Sequence, residues 1–295
     1  MKKHRLSGVG AAMITPFKSD FSCDYDTLGR MIDYVIDGGT DYIVALGTTA
    51  ETPTLSHEER NEVFRYIRER VAGRTPIVLG AGGNDTVRLI EQIQAMDLEG
   101  VDALLSVTPY YNKATQKGLI KSFFAVADAT DKPIILYNVP SRTGCNITLP
   151  VYKELAKHER IVAVKEASGN MSAIAELIAE CGDSLDVYSG NDDQIVPIMS
   201  LGGKGVISVL SNLYPKETHD MARLCLKNNY TDAAKLQLSY LKLINALFCE
   251  VNPVPVKTAM AEMGLCDIEM RLPLCEMDDA NKAKLVSIMK DYKLL

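Results

Sequence analysis

Eight short apolar runs, each followed by a segment of helical spacing, organise most of the chain. They are Ala11 to Thr15, Asp41 to Leu46, Pro76 to Gly80, Asp102 to Val107, Pro133 to Asn138, Ile161 to Ala167, Leu185 to Ser189 and Gly205 to Val209. All are rich in β-branched residues and nearly continuous in hydrophobicity, the pattern of parallel strands buried on both faces. The intervening segments carry helix start signals. Asp24 or Asp26 opens a stripe of Leu28, Met31, Ile32, Val35 and Ile36; Ser56 with Glu59 forms a capping box; Asp85 precedes Val87, Ile90, Ile93 and Met96. Glycines stand at the stops: Gly38-Gly39, Gly73, Gly100, Gly182 and Gly202-Gly203.

Eight strand-helix units predict an α/β fold, a (β/α)8 TIM barrel, over an open doubly wound sheet, which would carry a glycine-rich dinucleotide loop after its first strand. The nearest such loop, Gly80-Ala81-Gly82-Gly83-Asn84-Asp85, lacks the third glycine and follows the third strand, so it reads as a turn. Lys204, in a glycine-rich stretch, precedes the eighth strand and therefore belongs to the end of a barrel opposite its phosphate loops. After about residue 228 the alternation stops. Three amphipathic helices, Asp232 to Phe248, Val254 to Met263 and Asp279 to Asp291, are expected as a C-terminal appendage. Asn252-Pro253 reads as a cap followed by proline in the first helical position. The expected division is a catalytic barrel over 1–228 and an α-helical domain over 229–295.

Charge narrows the partners. Lys plus Arg number 32 against 38 Asp plus Glu, a net charge of −6, and no basic block exceeds the Lys2-Lys3-His4-Arg5 start. Nucleic-acid binding, which exchanges a basic face for counterions, is not expected. The segment after that start is broken by Gly8, Gly10 and Pro16, so it is read as a mature N-terminus and a first strand rather than a signal peptide. No apolar run approaches the ~18 residues of a membrane helix. Seven cysteines with no C-x-x-C spacing suggest core thiols in a reducing compartment, hence the cytoplasm.

Barrel chemistry sits at the C-terminal ends of the strands. Here those ends read Gly47-Thr48-Thr49-Ala50-Glu51, Thr108-Pro109-Tyr110-Tyr111-Asn112 and Tyr137-Asn138-Val139-Pro140-Ser141-Arg142-Thr143-Gly144, and the sixth strand carries Lys165 within an apolar run. Strand alternation puts Lys165 on the face of Ile161 and Ala163, with Tyr137 on the paired strand. Two readings stay open for it: an ion pair with a neighbouring carboxylate, or a Schiff-base lysine whose charged form is disfavoured by the barrel interior. The second needs a proton relay, which tyrosine and threonine hydroxyls can supply. His57, His158 and His219 fall in helical segments, and no metal-ligand cluster or G-x-S-x-G nucleophile motif occurs.

These strand ends, together with V-K-E-A-S-G at 164 to 169, S-G-N-D at 189 to 192 and N-P-V-P-V-K at 252 to 257, closely resemble the dihydrodipicolinate synthase family over essentially the whole chain. The resemblance implies a pyruvate-dependent class I aldolase that condenses pyruvate with aspartate semialdehyde to 4-hydroxy-tetrahydrodipicolinate, entering diaminopimelate and lysine synthesis without metal or organic cofactor. It implies that Lys165 forms the imine, that Tyr137, Thr48 and Tyr111 form the relay, with Tyr111 reaching a neighbouring subunit, and that Thr49 holds the pyruvate carboxylate. Arg142 would bind the carboxylate of the second substrate, and Gly190 and Ile207 would line the pocket by their backbone. A homo-oligomer follows, a tight dimer within a tetramer. Sugar-acid lyases such as N-acetylneuraminate lyase share the lysine and tyrosine but typically carry G-S-T-G-E and lack S-R-T-G. A non-catalytic keto-acid binder on the same scaffold would not need the relay.

Two departures from the family pattern stand out. Ala50 replaces a glycine, which would strain a backbone of positive φ there. In some members a lysine-effector site lies at the dimer interface; His57, Asn84 and Tyr110 match it, whereas Arg60 replaces a histidine and Arg88 a glutamate. A cation in an ammonium pocket is repulsive, so weak or absent inhibition by lysine is expected.

Overall fold

A computed structural model describes residues 6–295; the Lys2-Lys3-His4-Arg5 start lies outside the described residues. Strands β1 (Gly8–Ala12), β2 (Tyr42–Ala45), β3 (Ile77–Gly80), β4 (Ala103–Val107), β5 (Ile134–Asn138), β6 (Ile161–Glu166), β7 (Asp186–Ser189) and β8 (Gly205–Ser208) pair in sequence order, all parallel. β8 returns to β1 and closes the barrel. Around it lie α1 (Tyr25–Asp37), α2 (His57–Val71), α3 (Thr86–Ala95), α4 (Gln116–Asp128), the single turn α5 (Pro140–Thr143), α6 (Leu149–Leu155), α7 (Met171–Cys181), α8 (Ile195–Ser200) and α9 (Pro215–Leu226). Helices α10 (Tyr230–Ala246), α11 (Val254–Glu262) and α12 (Asp279–Asp291) follow.

The helix starts obey the local chemistry. Asp24, rather than Asp26, caps α1 by accepting from the Thr27 N–H, and Ser56 and Glu59 make both bonds of the capping box on α2. Asp85 caps α3. Asn229 caps α10, so that helix starts two residues before the expected Asp232. Pro253 occupies the cap of α11, which corrects the reading of Asn252 as the capping residue. The Asn252 side chain is drawn elsewhere, to the barrel mouth.

Two strands depart from expectation for physical reasons. β1 begins at Gly8, not Ala11, because its glycines admit close neighbours: a Cβ on Gly10 would lie 2.1 Å from Tyr42 Cε2. Glycine that reads as a strand breaker is here demanded by the approach of a buried ring. In β6 the pairing with β5 shifts register between Ile134 and Ile135, which face Ile161 and Ala163. Strict alternation fails there. Ile161 joins the layer between barrel and helices, while Val162 and Ala163 both face the barrel interior. Lys165 therefore shares a face with Ala163 and not with Ile161.

The barrel interior is packed with Leu6, Tyr42, Val44, Val78, Leu105, Ile135, Tyr188 and Ile207 among others. The Tyr188 hydroxyl donates to the Leu6 carbonyl at 2.7 Å and its ring meets Tyr42 edge-on, with centroids 6.2 Å apart. Such filling leaves chemistry to the upper mouth. Lys204, as expected, lies in the turn that enters β8, its N–H donating to the Val187 carbonyl.

All seven cysteines are free thiols. Cys23, Cys145, Cys181 and Cys225 are buried, but Cys249 and Cys275 are exposed, contrary to a general core role. No helix among the described residues is long and apolar enough to cross a membrane.

Candidate active site

Register pairs Lys165 with Tyr137 across β5 and β6, and with Tyr188 across β6 and β7. Lys165 is 7% exposed, and its Nζ stands 4.3 Å from the centroid of the Tyr137 ring. No carboxylate among the described residues forms an ion pair with it. The other buried lysine, Lys257, is paired with Glu51 at 2.6 Å. A lysine held against an aromatic face without a counter-ion is a poor structural salt bridge. Once it has given up its proton, its amine can act as a nucleophile.

The residues beside it close the lysine in. A Cβ on Gly190 would clash with Ala167 Cβ at 2.7 Å and crowd Lys165 Cε at 3.2 Å, so the close packing around the lysine requires glycine there. The Gly190 N–H donates to the Glu166 carbonyl at 2.7 Å. Ile207 is buried in the barrel interior on β8. Glu166 points away from Lys165 in the strand and accepts from Asn138 Nδ2, the Tyr152 hydroxyl and the Ser168 N–H. Those bonds lock the end of β6. Asp192, fully buried, accepts from the Val209 and Leu210 N–H groups through Oδ2. Burial pushes its carboxyl above the ordinary value, opposed by those hydrogen bonds and by the nearby Lys165 charge.

The loop after β2 supplies the threonines. Thr48 to Ala50 form one 3-10 turn, with Thr48 exposed at the mouth and Thr49 buried. Ala50 lies within this right-handed turn and the positive φ falls on Glu51, at 53°, so alanine is accommodated without strain. Glu51 turns inward. Its Oε1 accepts from Lys257 Nζ and its Oε2 from the Arg271 N–H at 3.1 Å, while Lys257 also donates to the carbonyls of Thr15 and Glu269. The C-terminal segment thus clamps the loop. Arg271 adds a second tie, with its guanidinium on both Glu59 oxygens and on the Thr54 and Phe21 carbonyls.

Asn252, just before α11, reaches the same loop: its Nδ2 donates to Thr49 Oγ1 at 2.9 Å, and its carbonyl accepts from Arg142 Nη2 at 3.0 Å. Sequence reasoning assigned no role in the site to Asn252, Glu51, Lys257 or Glu166. Asn252 reads as a helix cap and Lys257 only as part of the N-P-V-P-V-K motif; the fold makes them buried partners of the mouth.

A cavity of about 470 Å³ opens over Thr48, Tyr137 and Arg142 and continues between α2 and α3. His57, Arg60, Asn84, Arg88 and Tyr110 all line it, so the five residues compared with an effector site do share one space. Arg88 is 3.5 Å from Asp85, and Arg60 Nε donates to the Leu55 carbonyl. Tyr111 is not among its lining residues. It has φ 71° and is 90% exposed. Among the described residues, no group of three or more His, Cys, Asp or Glu side chains is placed to hold a metal ion.

Comparison with known proteins agrees with this architecture. A profile of the Dihydrodipicolinate synthetase family matches residues 5–292. The 4-hydroxy-tetrahydrodipicolinate synthase of Caldicellulosiruptor bescii is 50% identical over 287 residues, 97% of each chain. Among solved structures, dihydrodipicolinate synthase from Aquifex aeolicus is 42% identical with a TM-score of 0.94, covering 98% of this chain and 99% of the other. The chloride-inhibited dihydrodipicolinate synthase from Acinetobacter baumannii, complexed with pyruvate, is 39% identical with a TM-score of 0.96 over 98% and 99%.

Proposed function

The chain belongs to the dihydrodipicolinate synthetase family, and from that premise we propose how its own side chains carry the reaction. The enzyme condenses pyruvate with L-aspartate 4-semialdehyde to 4-hydroxy-tetrahydrodipicolinate, the first committed step of diaminopimelate and lysine biosynthesis. The observation that carries our assignment of roles is the buried, unpaired Lys165 against Tyr137 at the mouth of the barrel.

In this reading, neutral Lys165 Nζ attacks C2 of pyruvate, and a C–N bond forms as the carbonyl oxygen takes a proton. The carbinolamine then loses that oxygen as water to give the imine. Tyr137, close to the amine, donates and recovers these protons, with Thr48 and Tyr111 passing them onward. Removal of a proton from C3 of the imine gives an enamine, which attacks the aldehyde carbon of the second substrate. Attack by that substrate's amine on the imine carbon closes the ring and returns the free lysine.

Thr49 holds the pyruvate carboxylate through its hydroxyl and backbone N–H. Arg142 takes the carboxylate of aspartate semialdehyde, a task suited to a planar guanidinium. Gly190 and Ile207 line the lysine by their backbone. The exposure of Tyr111 supports its use by a neighbouring subunit, and hence a dimer, which we place within a tetramer. We retain the division into a barrel over 1–228 and a helical appendage over 229–295. The free thiols suit a cytoplasmic enzyme, and the carbonyl chemistry on Lys165 requires no metal or organic cofactor.

The sugar-acid lyase reading is not favoured, because the relatives and structures compared are synthases. A kinetic comparison tests the substrate assignment. Arg142→Ala should raise KM for aspartate semialdehyde roughly ten- to a hundredfold, the loss of a charge-assisted contact, with a much smaller change for pyruvate. Equal effects on both substrates, or strong cleavage of N-acetylneuraminate by the unmodified protein, would overturn it.

A further inference from the structure

Asn252 touches both residues to which substrate carboxylates are assigned above, and does so from outside the barrel strands. Its side-chain Nδ2 donates to Thr49 Oγ1 at 2.9 Å; its main-chain oxygen accepts from Arg142 Nη2 at 3.0 Å. It is 6% exposed, and its Oδ1 is buried with no hydrogen-bond partner among the described residues. Thr49 is thus the partner that orients this amide.

The direction of the bond has a chemical consequence. A threonine hydroxyl has one proton and two lone pairs. With one lone pair occupied by the Asn252 N–H, the hydroxyl proton must point to another acceptor, and among the described residues Thr49 Oγ1 donates to none. An anionic carboxylate is the acceptor that would complete the arrangement, and hydrogen bonds to charged groups are the stronger class. Had the amide offered an acceptor instead, the hydroxyl proton would be consumed within the protein.

We propose that Asn252 is a positioning residue for substrate carboxylates, holding the Thr49 hydroxyl as a donor toward the keto acid and bracing Arg142 for the second substrate. This rests on the assignment of Thr49 and Arg142 given above. The residue is well placed for it. Lys257, five positions further on, is fully buried on Glu51, two residues after Thr49, so α11 is tied directly to the threonine loop. The two substrate-binding side chains come from the loops after β2 and β5 and meet at this single residue of the C-terminal segment.

The test is a double-mutant cycle between Asn252→Leu and Thr49→Val, each close in shape to the original. Pyruvate affinity is read as the concentration giving half-maximal borohydride trapping, alongside KM and kcat. In the Thr49 background, Asn252→Leu should weaken pyruvate roughly ten- to a hundredfold, with a smaller change in kcat at saturation. In the Thr49→Val background it should weaken pyruvate no further, because the hydroxyl it orients is gone. Equal losses in both backgrounds, or unchanged pyruvate affinity on Asn252→Leu, would overturn the proposal. Should Asn252→Leu fail to fold by circular dichroism, Asn252→Ala removes the same donor without a larger apolar group and enters the same cycle. Trapping in the unmodified enzyme separates the two levels. If pyruvate does not label Lys165 there, the assignment of the site has failed; if it does and the cycle is additive, only the role of Asn252 has.

Discussion

Lys165 Nζ lies 4.3 Å from the centre of the Tyr137 ring, on directly paired positions of adjacent strands. The ring does two things at once. Its face favours the ammonium before reaction, and its hydroxyl is the proton donor in our reading of the attack.

Tyr137→Phe separates those roles. The face remains, so Lys165 keeps its place and the protein its stability, whereas the proton donor is lost. Turnover should fall on the order of 10²-fold or more, as for a removed general acid-base group. A steady-state assay showing kcat within about threefold of the unmodified enzyme would remove Tyr137 from the relay, since that is well below the usual effect of such a group.

Tyr111 provides a test across subunits. It is 90% exposed with φ 71°, and it does not line the cavity of its own chain. Tyr111→Phe and Lys165→Ala proteins should each be nearly inactive. When mixed and reassociated, they should recover activity, because some sites combine an intact lysine with an intact tyrosine from another chain. Recovery would be absent if both residues served the same chain's site.

Lysine should inhibit weakly. Arg60 and Arg88 line the cavity beside His57, Asn84 and Tyr110, and an incoming ammonium would meet the Arg88 guanidinium where the family pattern has a glutamate, with Arg60 in place of a histidine. Asp85, 3.5 Å from Arg88, offsets part of that charge, and Arg88 is largely exposed. Even so, like charges ~4 Å apart repel by up to ~4 kcal/mol at an effective dielectric of ~20, enough to put half-inhibition above about 1 mM. A titration giving half-inhibition below about 0.1 mM would mean that the guanidinium groups turn aside and other residues hold the ammonium.

The barrel was legible because its strands are near-continuous apolar runs and its helices carry caps that obey local rules, as Ser56 with Glu59 shows. What escaped was set by tertiary contact. Gly8 and Gly10 look like a loop until Asp41 and Tyr42 are packed against them. The bulge in β6 rotates Ile161 off the lysine face, and nothing in a run of Ile, Val and Ala marks where it falls. In the site, residues carrying a family motif could be read by resemblance. Asn252, Glu51 and Lys257 act through partners some two hundred residues away, which spacing does not reveal.

The Glu51–Lys257 pair should be costly to break. Both side chains are 0% exposed, and each holds further hydrogen bonds. Removing one partner by Lys257→Met or Glu51→Gln leaves the other buried without its counterpart, a loss of about 3 to 5 kcal/mol. Joint replacement, Glu51→Leu with Lys257→Met, should lose less than the sum of its parts. Denaturant unfolding at fixed protein concentration checks this, and single variants within about 1 kcal/mol of the unmodified protein would contradict the coupling.

Covalent capture reaches the chemistry itself. Borohydride reduction of the protein with pyruvate, followed by mass measurement and peptide mapping, should show one pyruvate-derived group per chain, carried on the peptide containing Lys165, with none in Lys165→Ala. No added mass, or a label on Lys257 or Lys204 instead, would contradict imine formation at the barrel mouth.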